Sequence, residues 1–209
     1  MNKKIKVVLW DVGGVLTQSP IKRFERYEKT VSLPKGSIVK INSINNLNNA
    51  WAKYEKNMIS KKKFIKLFKN EAKSQNILKV DPLEILSCLE LKIVPDMLET
   101  LKKVKKKYLC ACLTNNFDDR YLTPSCKKVK EILNRNFDFT FESSKLKCRK
   151  PEYEIYEMVI KTLNVKNDEI LFIDDLGINL KPARHLGINT YKSSNTKDTI
   201  SFLNNQLGL

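Results

Sequence analysis

The 209-residue sequence predicts an α/β fold, a doubly wound parallel sheet with an α-helical unit inserted after the first strand. Three observations carry this expectation. A short apolar run at residues 5–9 leads into Asp11 and Gly13-Gly14, the pattern of a buried strand entering a tight turn. After Pro95, short apolar runs alternate with amphipathic stretches of roughly ten to fifteen residues, which implies right-handed crossovers and a parallel sheet covered on both faces. Between these parts, residues 21–93 carry helical periodicity and no strong strand, a block too long for a crossover connection.

Taken in order, the first strand is expected over 5–9. In the helical block Phe64, Leu67 and Phe68 fall on one face of a helix. A helix over 95–107 then precedes a strand at 108–113, followed at once by Thr114-Asn115-Asn116. A helix over 120–134 and a strand over 137–141 come next. A helix over 151–163 is expected with Pro151 in its first turn, where a missing N–H costs nothing. A strand over 169–173 ends in Asp174-Asp175; a short helix over 180–186, a strand over 188–191 and a helix over 196–207 close the chain. The expected division is a core of residues 1–18 and 94–209 and a helical cap of residues 19–93.

The composition excludes several classes. Hydrophobic residues make up 42% and charged residues 30% of the chain, the balance of a globular protein rather than a disordered one. No apolar stretch approaches a membrane span. Lys3, Lys4 and Lys6 resemble the basic start of a signal peptide, but the apolar run before Asp11 is too short for one. A cytoplasmic location is expected, with the protein a monomer or a homodimer. The five cysteines, Cys88, Cys110, Cys112, Cys126 and Cys148, form no CxxC pair and read as small reduced core residues. Cys110 and Cys112 share one face of a buried strand. The net charge of +16 is mostly Lys, spread over 61–73, 102–107 and 127–130. Lysine carries a point charge without the planar fork of Arg, so these runs read as solvated faces or as a field that steers an anionic substrate; no nucleic-acid partner is expected.

Asp11, Thr114-Asn115 and Asp174-Asp175 each follow a predicted parallel strand, and in open α/β sheets such carboxyl ends converge on one crevice. Singly, an Asp before Gly-Gly can simply form a turn, and Asp174-Asp175 can simply cap a helix. Together, three carboxylates at neutral pH repel unless a cation neutralises them, and hard oxygen ligands without a His or Cys pair favour Mg²⁺. Lys150, just before Pro151, is placed to put positive charge on phosphate oxygens in that crevice.

The fragments Leu9-Trp-Asp-Val-Gly-Gly-Val-Leu-Thr17, Leu113-Thr-Asn-Asn116, Arg149-Lys-Pro-Glu152 and Phe172-Ile-Asp-Asp175, in this order, resemble the four motifs of the haloacid dehalogenase superfamily. The longer stretches 114–120 and 172–187 are similar to the phosphatase domains at the N-terminus of soluble epoxide hydrolases and to a related domain of some acyl-CoA dehydrogenase family members. The resemblance implies a Rossmann-like core with a cap and a small phosphorylated substrate. It implies that Asp11 is the nucleophile and carries an aspartyl-phosphate. It implies that Thr114 and Asn115 hold the transferring group and that Lys150 neutralises it. The implied Mg²⁺ site comprises Asp11, the Gly13 carbonyl, Asp174 and Asp175, with Asp174 orienting the others.

One position departs from the pattern. Most phosphatases of the superfamily place a second Asp two residues after the nucleophile, as general acid and base. Here that residue is Gly13. The expected activity is hydrolysis of a small or lipid-like phosphate monoester. The alternatives are a pseudo-phosphatase that binds without turnover and a dehalogenase-type hydrolase, which needs no acid at position 13 and no metal. His185, the only histidine, is a candidate replacement acid, and Trp51, Tyr54 and Glu55 are candidates to face the substrate from the helical block.

Overall fold

The computed structural model describes residues 5–209, the side chain of Tyr121 excepted; Lys3 and Lys4 lie outside the described residues. Strand β1 is Val7–Trp10, and all four residues are buried, as expected of a strand covered on both faces. Helices α1 (Ile21–Thr30), α2 (Ser37–Ser43), α3 (Ala50–Glu55), α4 (Lys61–Ser74) and α5 (Pro82–Ser87) follow with no strand between them. The chain then runs through α6 (Pro95–Lys105), β2 (Leu109–Thr114), α7 (Pro124–Asn134) and β3 (Phe139–Glu142). It continues with α8 (Ser143–Leu146), α9 (Tyr153–Leu163), β4 (Ile170–Asp174), α10 (Gly177–His185), β5 (Asn189–Lys192) and α11 (Thr196–Leu207). None of these helices is long and apolar enough to cross a membrane.

The five strands are all parallel, in the order β3-β2-β1-β4-β5. The chain moves outward from β1 through β2 to β3, then returns to place β4 on the other side of β1, so the direction of winding switches between β1 and β4. Trp10 stands opposite both Cys112 and Ile173, which brings the ends of β1, β2 and β4 level.

Alternate residues feed two cores. Val8, Trp10, Cys110, Cys112, Leu171 and Ile173 pack on Met97, Leu101, Leu133 and Leu203 from α6, α7 and α11. Val7, Leu9, Ala111, Leu113, Ile170 and Phe172 pack on Ile155, Tyr156, Val159 and Leu180 from α9 and α10. At roughly 1.5–3 kcal/mol for each fully buried aliphatic or aromatic side chain, these layers supply the main drive for folding. The helical block buries its own cluster, in which Trp51 meets Phe24, Phe64 and Phe68 at centroid distances of 6.2, 6.0 and 6.2 Å. Its helix starts are held by side chains from elsewhere: the Glu28 carboxylate accepts the Gly36 and Ile38 N–H groups at 2.7 and 2.8 Å, and Glu71 accepts Ala50 N–H at 2.8 Å.

Three helix starts differ from the sequence expectation. Helix α7 begins at Pro124 rather than at 120, because Thr123 caps it by accepting Cys126 N–H at 3.2 Å; Asp119–Tyr121 makes only a 3₁₀ turn. Helix α9 begins at Tyr153, and Pro151 stands before it in a turn joined through a cis Lys150–Pro151 peptide. That turn is set by side chains: Asn115 holds both backbone groups of Lys150, and Glu152 accepts Arg149 N–H at 3.0 Å. Helix α10 begins three residues early, at Gly177, after a turn in which Asp174 accepts Leu176 N–H at 2.8 Å.

The cysteines are free thiols, four of them buried. Burial pushes the Cys110 thiol up to about 12 and the Cys112 thiol higher still. In the native protein at pH 8, a thiol reagent is therefore expected to leave Cys110 and Cys112 unmodified, and to modify both once the chain is unfolded in guanidinium. Rapid native labelling of either, located by peptide mass spectrometry, would contradict this packing.

Candidate active site

The site grows from the end of β1. Asp11 donates its backbone N–H to the Ile173 carbonyl at 2.9 Å, one last rung of the β1–β4 ladder. Its Oδ1 accepts Val12 N–H at 2.7 Å and Lys150 Nζ at 2.8 Å. The following turn is tied by the Val12 carbonyl, which accepts Thr17 N–H and Oγ1 at 2.9 and 3.1 Å. Gly14 has φ +79°, and a Cβ there would lie 2.1 Å from Asp175 Oδ2, so only glycine lets this turn lie against Asp175. Gly13 is different: a Cβ built on it meets nothing within 4 Å. Its carbonyl accepts no hydrogen bond among the described residues.

Lys150 is 1% exposed. Its ammonium group has three acceptors for its three protons: Asp11 Oδ1 at 2.8 Å, Asp174 Oδ2 at 2.7 Å and the Leu113 carbonyl at 2.9 Å. Burial alone would lower its pKa, but Asp11 and Asp174 hold it raised, so it stays charged. Asn115 fastens the same residue by its backbone, donating Nδ2 to the Lys150 carbonyl and accepting Lys150 N–H on Oδ1, both at 2.9 Å. Both ends of the Asn115 amide are thus occupied within the protein. Thr114 ends β2 beside it, half-buried.

The acidic pair divides its work. Asp174 is fully buried, and its two oxygens are engaged by Leu176 N–H, Asn179 Nδ2 and Lys150 Nζ at 2.7–3.0 Å. Asp175 is half-exposed and makes no ion pair among the described residues. Burial, reinforced by Asp174 and opposed by Lys150, pushes Asp175 up to about 6. Burial also raises Asp11, with Lys150 opposing and Asp174 and Asp175 adding to the rise. One carboxylate oxygen from each of Asp11, Asp174 and Asp175 lies within 4.8 Å of the others.

That is a set of three acids around one lysine, a surplus of negative charge presented by hard oxygen donors. It fits a divalent cation such as Mg²⁺, with Asp11, Asp175 and the unused Gly13 carbonyl as the available donors and Asp174 already committed to orienting the rest.

Other candidates fall elsewhere. His185 is exposed at the far end of α10, with Nδ1 2.8 Å from the Tyr153 hydroxyl, and is not part of the carboxylate cluster. Trp51 and Tyr54 are buried in the aromatic cluster of the helical block, and Glu55 accepts Trp51 Nε1 at 2.9 Å and Arg149 Nε at 2.6 Å. Two residues that sequence reasoning passed over support the site. Asn179 reaches both Asp174 oxygens at 3.0 Å from the first turn of α10. Glu142, buried at the end of β3, accepts Asn116 Nδ2 and Lys130 Nζ at 2.5 Å each and so anchors the loop after β2. The strand-end rule that singled out Asp11 and Thr114 would have found Glu142, had β3 been extended by one residue.

Comparison with known proteins agrees with this geometry. Residues 5–187 match the model of the haloacid dehalogenase-like hydrolase family. The chain is 38% identical over 114 residues, 54% of its length, to bifunctional epoxide hydrolase 2 of Mus musculus. It is 28% identical over 212 residues, 99% of its length, to acyl-CoA dehydrogenase family member 10 of Mus musculus. It spans about a fifth of these relatives, 21% and 20% of their respective lengths. Among solved structures, a family enzyme of Bacteroides thetaiotaomicron in complex with magnesium and inorganic phosphate superposes with a TM-score of 0.63 at 26% identity, covering 94% of this chain and 98% of that one. With a parallel five-stranded sheet, an acidic crevice at its switch point and a family match over most of its length, the chain belongs to the haloacid dehalogenase-like hydrolases.

Proposed function

We propose that the chain is a Mg²⁺-dependent phosphatase that hydrolyses a small or lipid-like phosphate monoester through an aspartyl-phosphate on Asp11. The observation that carries this reading is the buried Asp11–Lys150–Asp174 chain, 2.8 and 2.7 Å long, with Asp175 beside it. Held by Asp11, Asp175 and the Gly13 carbonyl, the cation would supply charge neutralisation of the phosphoryl oxygens and of the acids around them. Lys150 holds Asp11 in one orientation and offers positive charge where the transferring group sits. Asp11 attacks phosphorus in line, the leaving group departs as its oxyanion and takes a proton from solvent, and water then cleaves the acyl phosphate to release inorganic phosphate and restore the carboxylate.

Thr114 and the backbone of Asn115 are assigned to the phosphoryl oxygens, the Asn115 side chain being engaged with Lys150. Residues 19–93 are assigned as a cap over the crevice. With Gly13 in the place of a general acid, the leaving alcohol is not protonated from that position, and the reading favours substrates with good leaving groups.

Phosphate release from p-nitrophenyl phosphate tests the proposal. It is expected to fall to background with a chelator and to return with Mg²⁺. Turnover unaffected by chelation would overturn it, and chloride release from a 2-chloro acid that survives chelation would support displacement at carbon instead.

A further inference from the structure

Two loops of the core grip the helical block, and both carry residues assigned to the reaction. The loop that starts at Thr114 packs Phe117 on Trp51 and Tyr54, with ring centroids 5.5 and 4.6 Å apart, and Asp118 accepts the Asn57 amide at 2.9 Å. The segment around Lys150 does the rest. Arg149 Nε donates to Glu55 Oε2 at 2.6 Å and its Nη1 to the Asn46 carbonyl at 2.8 Å. Three residues later Glu152 accepts Lys56 Nζ at 2.7 Å. Both pairs are largely withdrawn from water: the Arg149 and Glu55 side chains are 14% and 9% exposed, those of Lys56 and Glu152 13% and 15%. Glu55 is itself fixed, its carboxylate by Trp51 and its carbonyl by Ser143 Oγ at 2.9 Å.

Lys150 thus sits in the chain between two anchors to the helical block, while Asn115, Asp11, Asp174 and the Leu113 carbonyl hold it from the core. Its position is determined from both sides. Arg149 suits the first anchor because its planar fork reaches Glu55 and the Asn46 carbonyl at once, which a lysine ammonium on a flexible stem does not reproduce.

We propose that Arg149, held by Glu55, is a positioning residue that sets Lys150 against Asp11, so that the phosphoryl pocket is complete only when the helical block is seated on the core. The inference rests on the phosphatase reading. A shift of the Lys150 backbone displaces the charge that meets the phosphoryl oxygens, and misplacement by about 1 Å can cost on the order of 100-fold in rate.

The test is steady-state hydrolysis of p-nitrophenyl phosphate with saturating Mg²⁺ by wild type, Glu55→Gln, Arg149→Met, Arg149→Lys and the double variant Glu55→Gln/Arg149→Met, with the folded fraction of each measured by thermal melting. Arg149→Met is expected to lower kcat by about 10- to 100-fold with KM changed less than about twofold, because the contact acts on the transition state. Glu55→Gln should show the same split, Arg149→Lys should recover part of the loss, and the double variant should be no worse than Arg149→Met alone, since the pair works as one unit. Wild-type kcat in the folded variants, additive losses, or losses accounted for by a smaller folded fraction would overturn the inference. If those results come from an enzyme whose turnover needs Mg²⁺ and Asp11, the phosphatase reading survives; a wild type without such turnover overturns both.

Discussion

Asp11→Asn is expected to abolish phosphate release, a loss of at least about 10⁴-fold, while leaving the protein folded. Asn matches Asp in shape, and its amide oxygen can still accept Val12 N–H and Lys150 Nζ, so the turn and the lysine keep their partners. What disappears is the anionic oxygen that, in the proposed mechanism, attacks phosphorus. The wild-type carboxylate is buried beside Asp174 and Asp175, which raises its pKa and marks it as a charge that costs stability in the absence of a cation. The melting temperature of the metal-free variant should therefore be no lower than that of wild type. Adding Mg²⁺ should raise the melting temperature of wild type, because the ion binds only the folded chain, and should raise that of the variant much less. Calorimetric scans with and without Mg²⁺, run beside the phosphate assay, separate the chemistry from folding. Substantial turnover in a folded Asp11→Asn protein would exclude the nucleophile.

The second large effect is a gain. Gly13→Asp is expected to raise kcat for alkyl phosphates by about 10²–10⁴-fold, the range that a positioned general acid contributes. The site has room for it, since no atom lies within 4 Å of the added Cβ and the backbone there is not left-handed. p-Nitrophenyl phosphate should gain much less, because p-nitrophenolate departs without protonation. A ratio of alkyl to aryl rates that does not change would show that another group already supplies the proton. The same substitution one residue later is closed: Gly14 would place a Cβ against the Asp175 carboxylate.

The order of strands and helices, and the convergence of residues 11, 114 and 174 at one end of the sheet, were legible because they depend on local apolar runs and on where those runs stop. What the sequence hid is non-local. Pro151 carries the signal of a first helical turn, yet Asn115, remote in sequence, holds Lys150 so that the helix waits until Tyr153. The Asn115 side chain could not be assigned to Lys150 from its neighbours in the chain. Trp51 and Glu55 recur at helical spacing whether they face a substrate or a partner, and only the aromatic cluster and Arg149 decide the matter. Asp174 can cap a helix by its residue type, yet the N-cap of α10 is Leu176; Asp174 accepts Leu176 N–H on one oxygen and Lys150 Nζ on the other.

The placement of β1 between β2 and β4 also governs when this site can exist. Asp11 is translated well before residues 170–174, and its strand lacks one neighbour until they have emerged and docked beside it. Lys150, made before Asp174, has one carboxylate fewer to answer it until then. Closure of so long a loop is entropically costly, so a nascent or truncated chain lacking β4 carries Asp11 without the Asp174 and Asp175 carboxylates beside it. The acidic cluster around Asp11 is thus assembled in one step, when β4 joins the sheet, rather than accumulated along the chain.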